Sequence, residues 1–200
     1  MFSIVTTRFD NYTWSENINF REKNKISGCI YGSPQPISPK IIQDSLVFVI
    51  EMNNQMNQIE GIGVIKNTIR LDKYFRVYET GNFNRYVFRG KYRINRDELI
   101  KIDERLVSIL DHILFKEKTH LKRGSGFTQI PEKLFKHEKC GNLDIRYTIK
   151  ELFLRLFCIN IENDNRELKE TELKEETRET ELKEKALKKE LKKRKLIIEE

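Results

Sequence analysis

Cysteine, histidine and long apolar runs are all scarce in this chain of 200 residues, and each scarcity excludes a class of protein. The cysteines are three, Cys29, Cys140 and Cys158, an odd number with no CxxC pair, so neither a disulfide framework nor a structural zinc site is expected. No apolar run approaches the roughly 20 residues that span a bilayer, and the opening MFSIVTTRFDNYTW is too short and polar for the core of a signal peptide. The expectation is an intracellular protein, not secreted and without membrane contact, in a reducing compartment. HExxH, the Walker A loop, the nucleophile elbow and the dinucleotide fingerprint are all missing, and GSGFTQ has one glycine too few for the last. Of the three histidines, His112 lies between apolar neighbours as a structural residue would. His137 sits in the charged run KHEK and reads as solvated. Only His120, at the head of a basic loop, has a setting in which it would contact phosphate. An enzyme needs convergent acid, base or nucleophile groups, such as His120 beside Asp10 or Glu132, so the expectation is a non-enzyme with no metal and no cofactor.

What the chain has is positive charge, unevenly placed. Residues 1–160 hold 26 Lys and Arg against 18 Asp and Glu, whereas residues 161–200 hold 12 against 13. The first stretch is long enough to bury a core of its own and keeps the whole excess, which favours polyanionic partners; a merely solubilising surface is the competing reading. The second is low-complexity: KETELKEET from Lys169 returns as RETELKEKA from Arg178. Its leucines are spaced 5, 9, 5, 4 and 5 apart, which departs from a heptad seam, so a solvated charged helix is expected there. One domain with an appendage follows: a globular unit over 1–160 and a Glu/Lys-rich helical tail over 161–200.

Within the globular unit the pattern is α+β. FSIVTT is an opening strand, and Thr13-Trp14-Ser15-Glu16 reads as a capping box that starts a short helix with Trp14 and Ile18 inward. CIYG from Cys29 is a brief strand that Pro34, Pro36 and Pro39 end. LVFVIEM from Leu46 and IEGIGVIK from Ile59 flank the polar tip NNQMN as a hairpin, with Gly61 and Gly63 marking a bend or a close approach. KYFRVYE near Lys73 and RYVFRGKYRI near Arg85 read as further strands around the turn Thr80-Gly81-Asn82. Asn95 and Glu98 form a second capping box, opening a helix whose apolar positions run from Leu99 to Phe115. A last packed helix carries Ile149, Leu152, Phe153, Leu156 and Phe157. The sum is a small curled mixed sheet or open barrel of five or six strands with flanking helices.

Basic residues interleaved with aromatics carry the functional expectation. Lys122-Arg123-Gly124-Ser125-Gly126 offers cations and flexible amides that can wrap a phosphate. Tyr31 and Phe83 stand at strand or turn ends, where a ring can stack an unpaired base at a gain of roughly 1–3 kcal/mol. Asn82, Asn84 and Arg85 flank Phe83 with groups that reach base edges or phosphates.

The order of these pieces resembles the YTH and EVE group of the PUA-like superfamily. SIVTT, the Trp14 helix, Ile30-Tyr31-Gly32-Ser33-Pro34, the hairpin LVFVIEMNNQMNQIEGIGVIK, TGNFNRYVFRGKYRINRDEL and KRGSGFTQIPEKL take the places of that group's motifs over about residues 2–137. The resemblance implies a curled PUA-like sheet that binds RNA or modified bases. Tyr31 and Phe83 would be cage walls beside Ser33, with Lys122, Arg123 and Gln129 along the nucleic-acid path. YTH readers use tryptophans where this chain has Tyr31 and Phe83, and Cys29 stands where a base-contacting Asn is usual. What carries over is therefore generic binding of single-stranded or modified RNA, and recognition of N6-methyladenosine in particular does not follow from it. Phrases such as CIYGSPQPI, FVIEMNN and HLKRGSGF also resemble a protein family of mimivirus-like giant DNA viruses, which implies a host-cell cytoplasmic setting and leaves packaging in the particle open. The leading expectation is a module for RNA or other single-stranded nucleic acid. The alternative is a viral structural or interaction protein whose tail, over 166–198, recruits a protein partner. Oligomeric state is not readable from the sequence.

Overall fold

The computed structural model describes residues 2–69, 74–116 and 120–157, and the expected tail helix lies outside them. The chain divides at Leu152 into two units, and all that follows concerns the first. Its strands are β1 (Ser3–Phe9), β2 (Cys29–Ser33), β3 (Leu46–Asn53), β4 (Gln58–Lys66), β5 (Tyr86–Gly90), β6 (Tyr92–Asn95) and β7 (Thr128–Gln129). The helices are α1 (Asn11–Lys23), α2 (Arg96–Phe115), α3 (Glu132–Phe135) and, as far as Leu152, α4 (Ile145–Phe157). The fold is α+β, as expected, but the strands divide between two sheets. Five form a mixed sheet in the order β6-β4-β3-β1-β7, in which β1 and β3 are parallel and the other pairs antiparallel. The remaining two, β2 and β5, pair antiparallel as a separate small sheet.

The central strands are buried on both faces, which is why they read as nearly continuous apolar runs. Val5, Val47, Val49 and Ile65 join Cys29, Ile30, Tyr31, Val87 and Phe88 of the small sheet in one core cluster. One residue out of phase, Ile4, Phe48, Ile50, Ile62 and Ile94 are equally buried on the other face, and α2 packs on β4 and β6. A β-bulge between Glu51 and Met52 leaves Glu60 as the extra residue of β4. Gly63 meets the expectation of a close approach: a Cβ there would lie 2.2 Å from the hydroxyl of Tyr31. The glycine is the space that the tyrosine fills.

Four local expectations are corrected. Helix α1 begins at Asn11, with Asp10 as its cap: Asp10 Oδ1 accepts from the N–H of Thr13 while the Thr13 hydroxyl accepts from the N–H of Asp10. Thr13 is thus the third helical residue, because Asp caps as well as Thr and sits where the strand ends. Tyr74–Glu79, within the run read as the strand KYFRVYE, forms no strand. Asn84 explains why: its Oδ1 accepts from the N–H groups of Val77 and Tyr78 and its Nδ2 donates to Tyr78 O, taking the backbone bonds a neighbouring strand would use. RYVFRGKYRI is two strands, since the chain passes from the small sheet to the large one at Lys91. Asn95 and Glu98 do form the expected capping box of α2. His137, read as solvated, is half-buried with its ring 5.7 Å from that of His112. Among the described residues no helix is long and apolar enough to cross a membrane.

Candidate functional site

Strand β1 ends beside the glycine loop, and the residue responsible is Arg8. It is the one charged residue of the strand, and it is half-buried. Nε donates to Leu121 O at 2.5 Å, Nη1 to Gly126 O at 3.3 Å and Nη2 to Thr128 Oγ1 at 2.9 Å. Three points of one loop therefore close around a single cation. Burial lowers the pKa of Arg8. Gly124 and Gly126 take φ of 102° and 68°, which side chains seldom tolerate, and a Cβ on Gly126 would lie 2.5 Å from Ser33 Oγ.

Between this loop and the end of β1 is a cavity of about 220 Å³. Phe9, Tyr78 and Phe83 give it aromatic walls, Tyr78 and Phe83 meeting edge to face at 6.0 Å. Arg8, Asp10, Thr13, Asn54 and residues 124–126 are also in its lining. The volume lies below the roughly 300–1,000 Å³ typical of drug-sized ligands and is on the scale of one ring system. Asn54 fixes the far side: its N–H donates to Phe9 O at 2.8 Å, and its Nδ2 donates to Lys122 O at 2.8 Å. Its Oδ1 is buried and has no hydrogen-bond donor among the described residues, an arrangement that native structures rarely leave unexplained.

The expected site residues divide into those at this cavity and those elsewhere. Phe83 lines it, and Lys122 and Arg123 precede the glycines that line it. Lys122 Nζ reaches across to Asn57 Oδ1 at 2.7 Å, and Arg123 is exposed. Asn82 and Arg85 are exposed on either side of the Phe83 turn, the Arg85 guanidinium 5.8 Å from the Tyr86 ring. His120 supports the loop, its Nδ1 accepting weakly from the Lys122 N–H at 3.4 Å. Gln129 is exposed on β7, opposite Val5. Tyr31, expected as a cage wall, is fully buried and donates its hydroxyl to Glu51 Oε1 at 2.7 Å. Ser33 is buried, donating to Gln35 O, and Asn84 is the buried clamp of residues 77–78. Strand alternation decides the first case: Tyr31 falls on the face of β2 that meets β4, and Gly63 receives it. Arg8, Phe9, Asn54 and Tyr78 were not singled out from sequence. The one signal available was the lone arginine of β1.

A larger groove, about 710 Å³, runs past Trp14 on α1. Its cations are largely engaged: Arg93 pairs with the fully buried Glu51 at 2.7 Å and Arg96 with Asp111 at 2.7 Å, while Arg21 Nε donates to Asn17 Oδ1. Among the described residues no nucleophile stands out. Cys29 is buried, and desolvation pushes its thiol up to about 12. Among the described residues no group of three or more His, Cys, Asp or Glu is arranged to hold a metal. Comparison with protein-family models, curated proteins and solved structures finds no significant match.

Proposed function

We propose that the chain binds single-stranded nucleic acid, RNA foremost, with one base entering the Phe83 cavity and the adjoining phosphates held by the loop of Lys122 and Arg123. One observation carries this reading: the glycine loop and Phe83, distant in sequence, line one ring-sized cavity with two further aromatic rings, Phe9 and Tyr78. A ring on Phe83 would gain stacking energy, and the excess of basic residues would draw in the phosphate chain. The reading extends to the fold. The motif order over residues 2–137 and the mixed sheet flanked by helices support kinship with the PUA-like group, with the Phe83 cavity rather than a Tyr31 cage as its base site.

The test is fluorescence anisotropy of the full chain with short single-stranded RNA at two salt concentrations, comparing wild type with Phe83→Ala and with Lys122→Ala/Arg123→Ala. Phe83→Ala is expected to weaken binding roughly 5- to 100-fold at either salt concentration, the span of one lost stacking contact. The loop variant is expected to weaken it most at low salt. Sequence-blind association that Phe83→Ala leaves unchanged would overturn the reading.

A further inference from the structure

Two of the three aromatic residues that line the Phe83 cavity are almost sealed: Phe9 exposes 3% and Tyr78 4% of its surface. A base cannot spread over rings so covered while everything around them stays in place. The surrounding elements differ in how firmly they are held. Phe9 ends a strand that is paired with β3 along its whole length, and Asp10 and Thr13 form the capping box of α1. Residues 77–78 are clamped by Asn84. The segment 122–126 is the exception. Among the described residues it makes no backbone–backbone hydrogen bond, whereas both of its flanks are anchored. Leu121 donates its N–H to Leu114 O at 2.8 Å, and the Phe127 ring packs edge to face with Tyr31 and Phe88.

Side chains hold the segment to the body. Arg8 Nη1 donates to Gly126 O at 3.3 Å, Asn54 Nδ2 donates to Lys122 O at 2.8 Å, and Lys122 Nζ reaches Asn57 Oδ1 at 2.7 Å. The same guanidinium of Arg8 also holds Leu121 and Thr128, so one residue grips the segment and both of its flanks. The centre, residues 123–125, is exposed. An exposed stretch without backbone bonds belongs to the low-stability end of a fold, from which lids are drawn. Gly124 and Gly126, both at positive φ, supply joints free of a Cβ.

We propose that residues 122–126 are a lid over the cavity, latched shut by Arg8, and that a base reaches Phe9 and Tyr78 only when the lid lifts. The inference rests on the reading of the cavity as a base site, and one experiment separates the two. A Cβ on Gly126 would lie 3.8 Å from Ser33 Cβ, inside the roughly 3.5–4.5 Å that a disulfide spans. Ser33→Cys/Gly126→Cys therefore lets oxidation fasten the lid and dithiothreitol release it in one polypeptide, with mass spectrometry confirming the bond. The full chain carrying this pair, with and without Phe83→Ala, is titrated with short single-stranded RNA in both states. In the reduced protein Phe83→Ala is expected to weaken binding roughly 5- to 100-fold. In the oxidised protein it should cost nothing further, because the fastened lid has already excluded the base. An equal loss in both states overturns the lid and leaves the base-site reading standing. No loss in either state overturns the base site and the lid with it. Arg8→Lys tests the latch by a second route, since an ammonium keeps the charge but not the planar fork. Tryptic cleavage after Lys122 or Arg123 should quicken roughly ten-fold or more, as loss of a charged hydrogen bond from the closed state predicts. Cleavage elsewhere and the melting temperature should hold. Cleavage that quickens at all sites alike, or at none, overturns Arg8 as the latch.

Discussion

Glu51 has no exposed surface, and a carboxylate in that position survives only if each of its lone pairs has a partner. Arg93 supplies most of them: Nε approaches both carboxylate oxygens, at 2.9 and 3.1 Å, and Nη2 reaches Oε2 at 2.7 Å. Burial pulls the Arg93 pKa down, but the charge of Glu51 and its hydrogen bonds outweigh this and raise it overall. Tyr31 completes the shell through its hydroxyl. Removing Arg93 would strand a buried charge, so Arg93→Ala should lower unfolding stability by about 3–5 kcal/mol. Tyr31→Phe, which deletes one donor and keeps the ring, should cost about 1–3 kcal/mol. In a Glu51→Gln background, Arg93→Ala should cost distinctly less, since a neutral amide needs no counter-ion. Urea denaturation of the four proteins decides it, and an equal cost in both backgrounds would refute the pairing as the source of the loss.

The elements owe their positions to caps and to missing side chains. Asp10 caps α1, and its pKa is lowered in the fold chiefly by the Thr13 backbone N–H. A lowered carboxylate pKa contributes stability that is present above the ordinary Asp value of about 3.9 and is lost as the pH falls through the lower folded value. Wild type should therefore lose more stability than Asp10→Asn between about pH 5 and pH 2, and thermal melts across that range should converge or cross. Parallel curves would show that the cap carries no charge-dependent stability. At Gly63 a methyl group would fall on the Tyr31 hydroxyl, so Gly63→Ala should overpack the core and cost about 1–3 kcal/mol or more in the same melts. Local chemistry of this kind is what the sequence announces well: the Asn95 capping box, the hairpin with its polar tip, and the glycine spacing in β4 all emerge from neighbouring residues. The strand expected near Lys73 fails because a single residue, Asn84, claims the backbone of Val77 and Tyr78 from six or seven positions away. The division into two sheets escapes a local reading for the same reason, since nothing within RYVFRGKYRI marks Lys91 as the crossing point.

At the scale of the whole molecule, the glycine loop and Phe83 could be chosen from sequence because cations, glycines and an exposed-looking ring are compositional signals. That Arg8 would draw the loop to the end of β1, and that Asn54 would be left with an unused acceptor, depends on contacts across more than 60 positions of chain. The arrangement makes a quantitative claim about salt. Each phosphate that Lys or Arg neutralises on a single strand releases condensed counter-ions, giving a slope of log affinity against log salt of about −0.7 per contact. Arg8, although cationic, donates to Leu121, Gly126 and Thr128, so its charge holds the loop, whereas Arg123 is exposed and the Lys122 ammonium donates to the Asn57 amide oxygen. Lys122→Ala/Arg123→Ala should therefore make the slope shallower by about 1.4 while leaving the melting temperature nearly unchanged. Phe83→Ala should lower affinity at every salt concentration and leave the slope as it is, because stacking releases no ions. If the loop variant instead lowered affinity without altering the slope, Lys122 and Arg123 would be shaping the loop rather than touching phosphate, and the path of the strand would have to run along Arg85 on the other side of Phe83.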